Sequence, residues 1–256
     1  NLELYYEEMT DQCVSYVIEI SHFSAIANML TQIVKFTNDF IDMASTPAQF
    51  FVKRKKTGEK GSSIMPNKSN AWGMEGAVKM LLEARERLFF LCKELPNYPH
   101  AGNMGRSYLM RNIGDVFMPI FIAFNRITGE LNKYQPNPAK IQAFFHEYPG
   151  MCGSVLQTVL KRQGISGDAY RTIQDIAINA DGTYANSEQF RTGLERKIQE
   201  LNLPLDCQAE LRRLLNMKVL VAPANRLAKK CRHELMDSFK YYRKDTERII
   251  NRSEEN

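Results

Sequence analysis

No disulfide framework, zinc site or bilayer-spanning apolar run stands out in this sequence. Its five cysteines, Cys13, Cys92, Cys152, Cys207 and Cys231, are scattered, with no CxxC pair. Spacing of that kind reads as free thiols in a reducing compartment. The four histidines, His22, His100, His146 and His233, form no HExxH pattern, so no metal centre is expected. GxSxG, P-loop and GxGxxG motifs are absent, which leaves no signal for a serine-hydrolase elbow or a nucleotide-cradling glycine loop of those types. No signal peptide opens the chain, and the longest unbroken apolar run, "VFMPIFIAF" at 116–124, is too short to cross a bilayer. A net charge of +5 is too diffuse to argue for nucleic acid. A cytoplasmic location is the expectation, with no membrane and no nucleic-acid partner.

What is present is helix. The 256 residues are 44% hydrophobic, enough for a full core and one or two domains. Residues 2–44 contain neither glycine nor proline, and Val14, Val17, Ile18, Phe23, Ile26, Ala27, Leu30, Ile33, Val34, Thr37 and Ile41 recur at spacings of three and four. That period predicts a long amphipathic helix ending near Pro47. A second is predicted over 73–94, with Ala77, Val78, Leu81, Leu82, Leu88 and Leu91 buried. A third runs from about 103 or 107 to 131, kinked at Pro119 and apolar all round, so it should be enclosed by other helices. After "YQPNPAK" the helices shorten, near 138–147, 151–163, 167–179, 187–201, 206–217 and 223–250, separated by glycine and proline. The expected architecture is all-α: a long-helix bundle over 1–133, then a smaller helical domain over 134–256. No strand is expected.

One stretch breaks the pattern. "TGEKGSSIMPNKSNAW", 57–72, holds two glycines, a serine pair, two lysines and two asparagines, with five basic residues, Lys53, Arg54, Lys55, Lys56 and Lys60, crowding its entrance. Glycine lets backbone amides approach a ligand, and amides with hydroxyls cradle a carboxylate or phosphate. The basic run by itself reads as a solvated segment. By composition alone, an ordinary linker between helices is the better reading.

The order of residues says more. "GSSIMPNKSN" resembles the fumarase/aspartase superfamily signature GSSxMPxKxN at Gly61, Ser62, Ser63, Met65, Pro66, Lys68 and Asn70, with Glu75 at the family's spacing. Ala71 stands where the family has proline. Within the superfamily, "SYLMRNIG" at 107–114, "LQTVLKRQGISGDAYRTIQDIA" at 156–177 and "APAN" at 222–225 resemble the adenylosuccinate lyase branch. Gly102 stands where those nucleotide lyases carry an arginine, and Arg106 lies beside Ser107.

The resemblance implies a carbon–nitrogen lyase that releases fumarate by β-elimination, needs no cofactor and acts in purine nucleotide synthesis. It implies Ser62 as base and Glu75 as the partner of a histidine acid. Ser63, Lys68 and Asn70 would bind the substrate, Arg106, Ser107 and Arg111 its phosphate end, and Gln12 another part of it. It further implies a loop that closes over the substrate and a homotetramer whose subunits share each active site. The chain opens without methionine and resembles only the later part of a family protein. The expectation is therefore that the general-acid histidine lies in a preceding segment and that this chain alone is inactive. Two other readings stand beside this one: a catalytically silent assembly domain, and another superfamily lyase such as argininosuccinate lyase or carboxymuconate cycloisomerase.

Overall fold

The computed structural model describes residues 15–54, 65, 70–97, 105–164 and 168–254. The chain forms two compact units that divide after Lys140.

In the first unit, helix α1 (Val17–Ala44) ends at Ser45, whose extended backbone precedes Pro47. Its stripe Phe23, Ala27, Leu30, Val34, Thr37 and Phe40 is buried. By length and composition α1 could cross a membrane; here its apolar stripe packs on α2 (Trp72–Glu94). Helix α2 lies between α1 and α4 (Gly114–Leu131). It buries Ala77, Val78, Leu81, Ala84, Leu88 and Leu91, while Leu82 is only half-buried. From α4 come Val116, Ile120, Ala123 and Ile127. These side chains make one continuous apolar core along the three helices.

Three expectations are corrected in this unit. The third long helix is two helices, α3 (Gly105–Arg111) and α4, separated by a turn at Asn112–Ile113. Asparagine and glycine are poor helix formers, and the chain turns there through i→i+3 bonds such as Asp115 N–H to the Asn112 carbonyl, 3.0 Å. Pro119 sits inside α4, which continues past it. Nor is α4 enclosed within the chain: Met118 and Phe121 are 62% and 63% exposed. Finally, two short strands exist. β1 (Phe51–Lys53) pairs antiparallel with β2 (Tyr134–Pro136), Val52 opposite Gln135. Three-residue strands show too little alternation to be read from sequence. Because β2 is tied to β1, residues 134–136 fold with the first unit, and the division falls at 140 and not at 133.

A separate small core sits beneath this ribbon. Phe40, Ala71, Met74 and Tyr134 are buried together, with Phe51 and Leu131 against them. The Phe40 ring lies 4.8 Å from Phe51 and meets Tyr134 edge-on at 5.3 Å.

The division falls within α5 (Pro138–Glu147); the second unit then contains a 3-10 turn at Pro149–Cys152, α6 (Gly153–Arg162), α7 (Ala169–Ala177), α8 (Ser187–Glu200) and α9 (Leu205–Leu214). Leu156, Leu160, Phe190, Leu194, Ile198 and Leu211 form the centre of its core. Helix α8 opens with a reciprocal capping box: Asn186 accepts from the Gln189 amide, and the Gln189 side chain accepts from Asn186 N–H. The final helix, α10 (Met217–Glu254), runs through Pro223, where a break was expected. Pro223 falls in its second turn, so only a short stretch of helix precedes the hydrogen bond that proline forfeits.

Candidate active site at the start of helix α2

Of the site residues read from the sequence, Gln12, Ser62, Ser63 and Lys68 lie outside the described residues. Asn70, Glu75, Arg106, Ser107 and Arg111 lie within them.

Asn70 is half-buried and immediately precedes α2. Ala71, at the cap position, is buried and offers no side-chain cap; its carbonyl accepts from the amides of Met74 and Glu75 at 2.8 and 3.0 Å. The first-turn amides of a helix lack intrahelical acceptors and carry the positive end of its dipole. Glu75 projects from this turn and is exposed, so its carboxylate is free to orient another group. The apolar cluster around Phe40 fixes this end of α2 through Ala71 and Met74, which explains why the segment leaves the small core at a defined place.

On α3, Arg106 is 9% exposed, Ser107 is half-buried and Arg111 is exposed in the last turn. A solvent-facing Arg106, the plain alternative for a cation at a helix start, is thus excluded. Ser107 and Arg111 are four residues apart, which puts both on one side of α3. Leu109 and Met110 tie α3 to the core of the long helices, so both groups of site residues belong to the first unit.

The structure adds a polar group that the sequence reading missed. Glu130, at the end of α4, is buried with Lys53 of β1: their side chains are 5% and 7% exposed, and Lys53 Nζ lies 3.6 Å from Glu130 Oε2. Lys133 Nζ reaches Glu130 Oε1 at 2.5 Å. Lys53 belongs to the basic run read as solvated, and its burial corrects that reading. A signal was present: Glu130 continues the buried series Val116, Ile120, Ala123 and Ile127 at helical spacing, so a carboxylate stands on an otherwise apolar stripe.

Among the described residues no group of three or more His, Cys, Asp or Glu could hold a metal ion. His22 Nδ1 lies 2.7 Å from the Ile18 carbonyl, and His233 pairs with Asp237 at 3.1 Å on its own helix. The four described cysteines are free thiols. Burial pushes the Cys152 thiol up to about 11, which leaves it a poor nucleophile.

Residues 9–84 match the lyase family. The chain is 26% identical over 207 residues to the adenylosuccinate lyase of Buchnera aphidicola subsp. Baizongia pistaciae, covering 78% of this chain and 44% of that protein. It is 24% identical over 202 residues to that of Dictyostelium discoideum, covering 77% of this chain and 42% of the relative. To that of Legionella pneumophila strain Corby it is 24% identical over 205 residues, with coverage of 78% and 43%. The chain therefore spans less than half the length of these curated relatives. The resemblance carried by "GSSIMPNKSN" thus stands on two findings: residues 9–84 match the lyase family, and the similar curated proteins are adenylosuccinate lyases.

Proposed function

We propose that the protein carrying this chain is an adenylosuccinate lyase-like enzyme of purine nucleotide synthesis, acting in the cytoplasm. It would cleave adenylosuccinate, and the related succinyl-aminoimidazole-carboxamide ribotide, by β-elimination of fumarate. The observation that carries the proposal is the signature Gly61–Asn70 ending at the first turn of α2, with Glu75 exposed on that turn.

The chemistry asks for three things. A base must take the proton next to a carboxylate, the charge that spreads into that carboxylate must be held, and an acid must protonate the departing nitrogen. Ser62 is assigned the first task. Lys68, Asn70 and the amides around Ser63 are assigned the second. A serine is a weak base in water, so it depends on nearby positive charge and exclusion of solvent. Glu75 orients the histidine acid, which a segment outside this chain would supply. Arg106, Ser107 and Arg111 hold the phosphate, and Gln12 contacts the substrate. Charge-assisted hydrogen bonds from arginine suit that task.

A homotetramer with shared active sites fits the exposed apolar side chains. Met118, Phe121 and Ile122 on α4, and Val17, Ile18, Met29 and Phe36 on α1, are left uncovered by the chain itself. An apolar area of that kind marks an association surface.

The test is fumarate release from adenylosuccinate by the purified full-length protein, followed by absorbance, with its mass in solution measured by sedimentation. Turnover by the full-length protein and none by residues 1–256 alone is expected. A folded full-length protein that releases no fumarate favours a silent assembly domain, for which Ala71 and Gly102 are the sequence support.

A further inference from the structure

The geometry points to Glu130 as a positioning residue: its buried carboxylate joins the segment entering the signature stretch to the segment leaving it. The role in turnover rests on the proposed lyase function; the structural claim does not.

Three stretches of sequence converge on this one side chain. Lys53, two residues before the segment that begins at Lys55, lies 3.6 Å from Glu130 Oε2. Lys133 holds the other oxygen at 2.5 Å. On the far side of the signature, Gly73 passes so close that a Cβ there would sit 2.8 Å from Glu130 Cγ and 3.1 Å from Oε1. No side chain fits at 73 while Glu130 keeps its place. The backbone supports the same junction: Arg54 N–H donates to the Lys133 carbonyl at 2.7 Å, and Asn137 N–H to that of Phe50 at 2.8 Å.

Energetics argue that this is more than filling. Removing a carboxylate and an ammonium from water is costly, and apolar replacements of a buried pair are often as stable or more so. The small core of Phe40, Ala71, Met74 and Tyr134 already packs both segments without charge. What the ion pair adds is register. A charge has few acceptable positions once buried, whereas apolar side chains slide. Since Asn70 lies three residues before Gly73 and Glu75 two after it, a small displacement at Glu130 shifts the start of α2 and with it two of the residues assigned to the reaction. Misplacement of that sort lowers turnover steeply.

The experiment compares full-length wild-type protein with Glu130→Gln, nearly isosteric but uncharged, by amide hydrogen exchange and by kinetics. Exchange at Arg54 on the entering side, and at Met74 and Glu75 on the leaving side, should accelerate together by about tenfold or more, while Leu88 in the middle of α2 keeps its protection. Turnover should fall by about tenfold or more, with KM for adenylosuccinate moving less than about threefold, because the phosphate end is bound elsewhere. Gly73→Ala should reproduce both changes. Acceleration on one side only, or none, overturns the inference. Should Glu130→Gln fail to fold, Lys53→Met/Glu130→Met removes both charges; it should fold yet not regain turnover, and wild-type exchange with wild-type turnover in that variant overturns the inference. If the wild-type protein releases no fumarate, the lyase reading falls, and the exchange data still decide whether Glu130 joins the two segments.

Discussion

The two units solve the problem of closing a helical core in opposite ways. In the first, long helices lie along one another and bury a single stripe each, so the far sides of α1 and α4 keep Phe36, Met118 and Phe121 in the open. In the second, the short helices α6–α9, though not the long α10, wrap one core and are tied locally: a capping box opens α8, Arg212 grips Glu195 with two hydrogen bonds of 2.8 Å, and Arg162 meets Glu210 at 2.6 Å. The difference teaches where function fits. Long helices packed side by side leave apolar sides uncovered, and the free amides at the start of α2 follow directly on the signature in sequence. The short helices α6–α9 turn their apolar faces onto one core. The signature residues, the α3 arginines and the buried Lys53–Glu130 pair all fall in the first unit.

The strongest break to that division of roles is chemical. Ser62→Ala in the full-length protein should lower turnover by roughly a thousandfold or more while leaving much of the substrate binding, since a base acts in the transition state. Steady-state kinetics with adenylosuccinate measure this. Near-normal turnover would mean that another group is the base.

Next in size is packing. Leu81 of α2 and Leu211 of α9 are both fully buried, one in each core. Each Leu→Ala change should cost about 2–5 kcal/mol, part transfer and part cavity. If the units are as separate as their cores, Leu81→Ala should raise amide exchange in α1, α2 and α4 and leave α6–α9 unchanged, and Leu211→Ala should do the reverse. Loss of protection in both units from either change would show that they unfold as one.

The α3 arginines sharpen the comparison further. Arg111→Ala should raise KM for the nucleotide by the equivalent of about 1.5–3 kcal/mol, as a lost charged hydrogen bond predicts. A dephosphorylated analogue should feel little change. Equal weakening of both would remove phosphate binding from Arg111. Because Arg106 is buried and Arg111 exposed, Arg106→Ala should lower thermal stability as well, and Arg111→Ala should not.

Much of this was legible before any coordinates. Uninterrupted three-and-four spacing located α1 and α2, because helical period is a local property of the chain. The ribbon of β1 and β2 was not legible: its partners are far apart in sequence and each strand has three residues. The break at Asn112–Ile113 was masked by apolar residues on both sides. Lys53 was misread because a lysine in a basic run is ordinarily solvated, and the α4 carboxylate that meets it lies far along the chain. Among the described residues α4 packs mainly on α2, which leaves Met118 and Phe121 exposed.

The smallest expected effect sets an exposed ion pair of the second unit against the buried one of the first. Hydrogen bonds from Arg212 hold the Glu195 carboxyl below its ordinary range. A depressed carboxylate stabilises the fold above its unfolded pKa of about 4.3, and that contribution fades as pH falls through the lower folded value. Arg212 and Glu195 are 48% and 38% exposed, so water and salt screen the pair heavily. Glu195→Gln should therefore cost only about 0.5 kcal/mol at neutral pH. Urea unfolding of the α6–α9 core, followed at several pH values, measures it. The gap between wild type and variant should close once the pH is low enough to protonate Glu195 in the folded protein. A gap that persists there would trace the loss to packing between α8 and α9 in place of charge. Breaking the Lys53–Glu130 pair with Glu130→Gln should cost several times more at neutral pH, because a carboxylate and ammonium that are 5% and 7% exposed have no water to fall back on. If the two losses prove equal, burial is not what distinguishes the pairs, and the contrast between the units reduces to helix length.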